Sequence, residues 1–288
     1  MSTQSDAAET RWLRGGADGI ARAMLLVPEA PLIGALLCAY WALSESPLIG
    51  LLVTLLIVNF IARTLALLGA RIALAKAHHR AAAGLAQAAL ALYPWSADAM
   101  ALRGAIALAD GRADEAAAAF RRALALLPGQ SSLQAALGGA LLAQGRPIEA
   151  AAAARAALAL APASALAHLY LAEADRANGA AAQDVEDRLR AGLAVAAAPE
   201  AEAALRCALG AHLLAQHRVA EATLTLHGAE ALVPRCTPSH QIELRVRLGE
   251  LLIAQGQIER AGEQFRSVAA LDPHGRHSAA AWRASHLQ

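Results

Sequence analysis

The stretch ADAMALRGAIALADGRADEAAAAFRRALALLPGQ (97–130) is followed directly by SSLQAALGGALLAQGRPIEAAAAARAALALAPAS (131–164), and the two align without a gap. Small residues and prolines recur 34 residues apart at matching positions: Gly104 and Gly138, Ala116 and Ala150, Pro128 and Pro162. A fixed period of roughly 20–50 residues is typical of proteins built from stacked structural repeats. The sequence therefore predicts a repeat array.

Each stretch predicts two helices joined by a tight turn, because Ala and Leu, the strongest helix formers, dominate both halves. Gly111 and Gly145 end the first helix, since glycine adopts the left-handed backbone conformation without steric cost. Pro128 and Pro162 stop the second helix. Small residues such as Gly104 allow the two helices to approach closely.

In period and pattern, these stretches resemble the tetratricopeptide repeat (TPR) family. The pattern returns at 203–236 and at 242–275, after five additional residues (237–241), and a degenerate copy occupies 165–199. The resemblance covers about 63–288. It implies an all-α fold, a right-handed superhelical solenoid of antiparallel helix pairs, with an array over 97–275.

The register of the degenerate copy is open. Asp184 and Arg188 stand where the pattern requires Ala and a bulky apolar residue. Either the second helix is shifted by about three residues and ends at Pro199, or an extra run of residues follows it. We also expect a degenerate first repeat at 63–96. A capping helix is expected at 276–288, since an array must cover its last apolar face.

A transmembrane helical hairpin is expected over 24–70, with a link near 44–47. Its apolar stretches are about 30–43 and 47–62. A spanning helix needs about 20 residues, so the second stretch is long enough if Arg63 lies at the interface and snorkels. The first spans fully only if it includes Glu29. The alternative, core helices of a soluble array, stays open because short apolar runs are often buried.

The charge pattern predicts the orientation of this hairpin. Basic residues precede it in the segment 1–23 and follow it near 63–80, whereas the link contains only Glu45 as a charged residue. By the positive-inside rule, both ends face the cytoplasm. Only one of 25 basic residues is a lysine, Lys76, which indicates a GC-rich bacterial gene. The expected location is the bacterial inner membrane, with the repeats and the segment 1–23 in the cytoplasm.

The resemblance also implies where a partner binds. In the TPR family, the concave face, formed by the first helix of each pair, binds peptides or partner helices. The expected groove is small and apolar, with acidic residues towards its far end, and suits a partner helix. The alternative is that an Ala-rich composition alone emptied the groove of larger side chains. The candidate groove residues are Asp98, Ala101, Ala105, Leu108, Leu142, Leu169, Glu173, Arg176, Leu214, Glu243 and Glu250.

The remaining features favour a binding protein over an enzyme. The formal net charge of +1 gives no electrostatic footprint for nucleic acid. Three cysteines without a CxxC pair, and the adjacent His78 and His79, lack the spacing of a metal site. No catalytic motif or cofactor fingerprint occurs. We expect a membrane-anchored scaffold or adaptor; the alternative is an assembly factor for a bacterial membrane complex, whose hairpin contacts client helices.

Overall fold

The protein is described here from a computed structural model, which covers residues 47–273 together with Ala35 and Cys38. Within 47–273 the chain forms twelve α-helices and no strand. Their bounds are α1 Pro47–Ala75, α2 His79–Leu92, α3 Ala97–Ala109, α4 Ala113–Leu126, α5 Ser131–Ala143, α6 Pro147–Leu160, α7 Ala165–Ala177, α8 Ala182–Val195, α9 Pro199–Ala215, α10 Val219–Leu232, α11 Pro238–Ala254 and α12 Ile258–Leu271. A short 3₁₀ turn, Val233–Arg235, follows α10.

Consecutive helices pair into six hairpins, and each hairpin packs on the next. The first helix of every pair also contacts the first helix of the following pair, so these helices line one side of a solenoid. The predicted N-terminal segment 1–23, the first apolar stretch apart from Ala35 and Cys38, and the capping helix at 276–288 lie outside the described residues. Ala35 and Cys38 are both helical.

Small side chains set the distance between paired helices. An alanine at the same position of five second helices is almost completely buried: Ala82, Ala116, Ala150, Ala222 and Ala261. Opposite this position, a Cβ added to Gly138 would lie 3.4 Å from the backbone oxygen of Ala150. One added to Gly104 would lie 2.7 Å from Phe120 Cε1 on the paired helix, closer than van der Waals contact allows. The close approach predicted for Gly104 is therefore confirmed.

The turn inside each hairpin requires a residue with positive φ. Four turns have glycine there, with φ between 71° and 78°: Gly111, Gly145, Gly179 and Gly256. In the first and fifth hairpins the same place is taken by Ala77 and His217, both with φ of 60°. A Cβ is disfavoured in this conformation, so these two turns are strained.

The degenerate copy is shifted by one residue, not by three. α8 begins at Ala182, whereas the 34-residue period from Pro147 would place its start at 181. Val185 and Leu189 are consequently buried, one position after Asp184 and Arg188. The additional residues before the next copy lengthen the start of α9.

The helix α1 has two dissimilar halves. Its second half packs on α2 through a cluster of small and apolar residues that includes Ala70, Ala73, Ala82 and Ala86. Its first half projects beyond α2, and most of its described residues are exposed or half-buried. The residues Gly50–Ala75 are long and apolar enough to cross a membrane, and 17% of the most apolar window is buried; within the described part of the chain no other helix meets this criterion.

Arg63 lies at the boundary between these halves. Arg63 is only 4% exposed, so its side chain lies against the protein and does not extend into water. Its guanidinium carbon lies 5.4 Å from the centroid of the Tyr93 ring, at the end of α2. Arg63 therefore belongs to the packing of the first hairpin.

Replacing Ala77 or His217 by glycine should raise the free energy of unfolding by roughly 0.5–1 kcal/mol, because glycine relieves the positive-φ strain. Urea denaturation of each variant measures this. The matched control is Ala83→Gly in the exposed face of α2, which should lower stability by about 1 kcal/mol. A loss of stability in Ala77→Gly equal to that of the control would show that this turn is not left-handed.

Candidate functional site

The predicted groove residues fall into three classes of accessibility. Arg176, Glu243 and Glu250 are exposed. Leu169 is buried, with 3% of its surface accessible. In this conformation it cannot contact a partner, contrary to the prediction. The remaining residues are half-buried: Asp98, Ala101, Ala105, Leu108, Leu142, Glu173 and Leu214.

The centre of the concave side is filled by the protein's own side chains. The Tyr170 ring lies over Gly139, where an added Cβ would be 2.8 Å from Tyr170 Cζ. Burial, and then the Glu173 carboxylate, raise the pKa of the Tyr170 phenol above its usual range. Cys207 is fully buried nearby on α9, and burial raises the pKa of its thiol to about 12.

An ion pair crosses this centre. The Arg247 guanidinium on α11 donates to the Glu173 carboxylate on α7, 74 residues away in sequence and two hairpins along the solenoid. Burial lowers the pKa of Arg247, but the Glu173 carboxylate, together with Cys207 and Tyr170, raises it on balance. A charge-assisted hydrogen bond of this kind is stronger than a neutral one. We refer to this contact as the cross-groove bridge.

The last hairpin also returns to the first one. α11 contacts α1, and Ala77 packs against the core of the last hairpin, which includes Ile242 and Phe265. A cavity of about 740 Å³ lies beside this contact. Its charged and imidazole-bearing lining residues are His78, His79, Arg80, Asp110, Arg112, Glu243 and Asp272. The solenoid is thus closed between its ends and its interior is narrow.

Two acidic residues of α7, Glu173 and Asp175, are held in ion pairs with arginines of other helices. Asp175 is buried and accepts from Arg155 Nη2 at 3.1 Å and pairs with Arg188 Nε at 3.0 Å. Arg188, which interrupts the repeat pattern, therefore has a structural partner. Glu173 is held in the cross-groove bridge, and Arg176 is exposed.

The histidines of residues 47–273 do not gather into a metal site. His79 Nδ1 lies 3.2 Å from Asp110 Oδ1, which pairs it with a carboxylate instead of His78. His212 is buried, and its Nε2 lies 2.5 Å from Gln216 Nε2. Across residues 47–273, no group of three or more His, Cys, Asp and Glu side chains is placed to hold a metal ion.

Comparison with solved structures identifies the fold. The chain superposes on a tetratricopeptide repeat protein from Parabacteroides merdae with a TM-score of 0.53 and 14% identity over 96% of both chains. A chain of the APC/C hetero-tetramer Cut9-Hcn1 matches with a TM-score of 0.59 and 16% identity over 78% of this chain, which spans 43% of that one. The pilus biogenesis factor PilW matches with a TM-score of 0.52 and 21% identity over 78% of this chain and 98% of its own.

No family model and no curated protein sequence matches the chain. The structural matches show the fold, so the protein is an all-α solenoid of TPR type. Solenoids of this kind expose extended surfaces on stacked hairpins.

Breaking the cross-groove bridge should open the centre of the groove. Arg247→Ala and Glu173→Gln should each increase the labelling rate of Cys207 by a thiol reagent about tenfold, since loss of one charge-assisted hydrogen bond costs on the order of 1.5 kcal/mol. Labelling followed by mass spectrometry separates Cys207 from the exposed Cys38. The control is Arg266→Ala, at an exposed residue on α12. Labelling of Arg247→Ala at the wild-type rate would refute this role of the bridge.

Proposed function

We propose that the protein is a membrane-anchored scaffold or adaptor that presents a TPR solenoid to a protein partner. The observation that carries the proposal is the single helix α1, whose first half projects as exposed apolar surface and whose second half is built into the first hairpin. A helix shared in this way couples the anchor to the solenoid without a flexible linker.

The projecting half of α1 supports the anchor. Leu48, Leu51 and Leu55 expose between 56% and 70% of their surfaces, an arrangement that is unfavourable in water. From Pro47 to Arg63 the helix rises about 24 Å, close to the roughly 30 Å of a bilayer's hydrocarbon core. Trp95 is 68% exposed in the segment just after Tyr93, as expected for an aromatic side chain at the lipid–water interface.

The charges beside α1 support a cytoplasmic solenoid in a bacterial inner membrane. Arg71, Lys76 and Arg80 follow the projecting half and lie on the same side of the proposed membrane segment as the hairpins. Basic residues are retained on the cytoplasmic side during insertion. The segment 1–23 would face the same side if the hairpin over 24–70 spans the bilayer twice.

The partner that the groove suits best is a helix with an apolar face and basic flanks. Glu243 and Glu250 are exposed on α11, so two carboxylates are available to a partner near the last hairpin. Complementary charges accelerate association and fix the register of a bound helix. Because Arg247 and Tyr170 occupy the centre, a partner enters by displacing the cross-groove bridge.

A second candidate function is assembly of a membrane complex, with the anchor contacting client helices. The projecting half of α1 favours it, since it exposes a row of large apolar side chains. PilW, one of the proteins that share the fold, is described as a widely conserved type IV pilus biogenesis factor. That role belongs to PilW and is carried over here only as a candidate.

Membrane fractionation tests the anchor. The wild-type protein should stay in the membrane pellet after carbonate extraction, whereas Leu51→Glu combined with Leu55→Glu should move to the soluble fraction, because each charge costs about 2–4 kcal/mol in the bilayer. Leu160→Glu combined with Leu224→Glu, at exposed leucines of the array, is the control and should remain in the pellet. Release of the wild-type protein by carbonate would contradict a spanning anchor.

Purification from detergent-solubilised membranes separates the two candidate functions. Soluble cytoplasmic clients are expected for an adaptor, whereas one stoichiometric membrane complex would favour the assembly factor. Glu243→Lys combined with Glu250→Lys should remove the groove-bound partner, because the charge that attracts it is reversed. Glu259→Lys combined with Glu263→Lys, at exposed residues of α12, makes the same charge change on a second helix and is the control. If the groove variant recovered as much partner as the wild-type protein does, the binding surface would have to lie elsewhere.

A further inference from the structure

The connections between helices fall on two opposite edges of the solenoid. Because consecutive helices pair into hairpins, the turns inside the hairpins lie at one edge and the turns between hairpins lie at the other. We call the three turns that join the first four hairpins the turn edge; they are 93–96, 127–130 and 161–164. Arg63 of α1 lies beside the Tyr93 ring at this edge. The projecting half of α1 therefore leaves the solenoid from the turn edge.

The turn edge is uncharged and apolar. The sequences of the three turns are YPWS, LPGQ and APAS, without a charged residue. Trp95 exposes 68% of its surface, and three leucines beside the turns are also exposed: Leu92, Leu160 and Leu166. The opposite edge is charged, since Arg112 and Arg146 each pair there with a glutamate three residues further on. Apolar side chains that gather at one edge indicate a surface for a membrane or a protein.

Polar groups of the turn edge have partners within the protein. Each turn has proline, which lacks an N–H group, at its second position, and a hydrogen bond from its fourth residue to its first. These bonds run from the N–H groups of Ser96, Gln130 and Ser164 to carbonyl oxygens 3.1–3.3 Å away. The Ser96 and Ser164 hydroxyl oxygens accept from backbone N–H groups of the next helix. Turns that satisfy themselves in this way suit contact with lipid, where an unpaired polar group is costly.

The length of α1 brings lipid to the turn edge. The rise of about 24 Å from Pro47 to Arg63 is about 6 Å shorter than a bilayer's hydrocarbon core. The difference is about one helical turn, so the core extends to the part of α1 that lies beside the end of α2. Leu92 and Trp95 are then at the depth of the lipid–water interface. At the same depth, the Tyr93 ring covers the Arg63 guanidinium.

We propose that the turn edge lies in the lipid–water interface of the leaflet through which α1 enters the bilayer. The proposal rests on the anchor of the proposed function and extends the lipid contact from α1 to the solenoid itself. The exposed apolar surface of α1 reaches this edge without a break, since Leu65, just past Arg63, is 62% exposed. Arg122, exposed four residues before the end of α4, is within reach of lipid phosphates. The charged edge stays in water, about 20 Å from the bilayer.

Quenching by spin-labelled lipid tests this placement at the two ends of one helix. Leu160 lies at the turn-edge end of α6 and Ile148 at the opposite end, and their side chains are exposed by 50% and 77%. Leu160→Cys and Ile148→Cys are each made in the full chain with Cys38→Ser, because the other two cysteines are buried. Each is labelled with an environment-sensitive fluorophore in vesicles of phosphatidylcholine and phosphatidylglycerol that contain acyl-chain nitroxide lipid. The nitroxide should lower the emission at position 160 about twofold, since interfacial surfaces are buried by roughly 5–10 Å, and should leave position 148 unchanged.

The outcomes separate the turn edge from the anchor. Leu55→Cys, labelled in the same vesicles, reports on the projecting half of α1. Quenching at position 55 without quenching at 160 overturns the proposal and keeps the anchor, whereas quenching at 160 without quenching at 55 does the reverse. Equal quenching at 160 and 148 overturns the proposal, because the edge would then have no preference for lipid. A blue-shifted but unquenched emission at 160 also overturns it, since protein would cover the edge.

Discussion

The packing of α1 against α2 is the contact on which the placement of the solenoid depends. Ala70, Ala73 and Ala82 are small enough for the two helix backbones to lie close together, and Tyr93 covers Arg63 at the end of this contact. Interiors packed at this density resist bending. The projecting half of α1 therefore has a defined direction relative to the hairpins, and whatever surrounds that half orients the concave side.

The same small residues explain why the concave side is narrow. Alanine and glycine at the helix contacts allow successive hairpins to wind tightly, so that α11 reaches both α1 and α7. The space that the Ala-rich sequence leaves empty is taken by Tyr170 and Arg247. Opening a groove that is filled in this way costs free energy, which the binding of a partner must offset. This favours partners with complementary charge over weak apolar binders.

Much of the fold is readable from the sequence, because the left-handed turns and close helix contacts demand glycine and alanine at a fixed period. The turns at Ala77 and His217 contain no glycine at the left-handed position, so the sequence pattern does not reveal them. The one-residue shift of α8 results from a single additional residue in the turn before this helix. The cross-groove bridge joins residues 74 positions apart, so no local sequence pattern predicts it. Gly139 is the one available hint, since a glycine inside a helix implies that a large neighbour approaches.

The central claim is that α1 is one continuous helix shared between a membrane anchor and the first hairpin. Hydrogen exchange of the full chain in lipid nanodiscs, resolved across residues 55–70, tests it most directly. The account predicts uninterrupted protection of these amides through Arg63, because lipid shields the helix on one side and α2 on the other. A segment of rapidly exchanging amides near Arg63 would contradict it, since it would mean that a flexible joint separates the anchor from the solenoid.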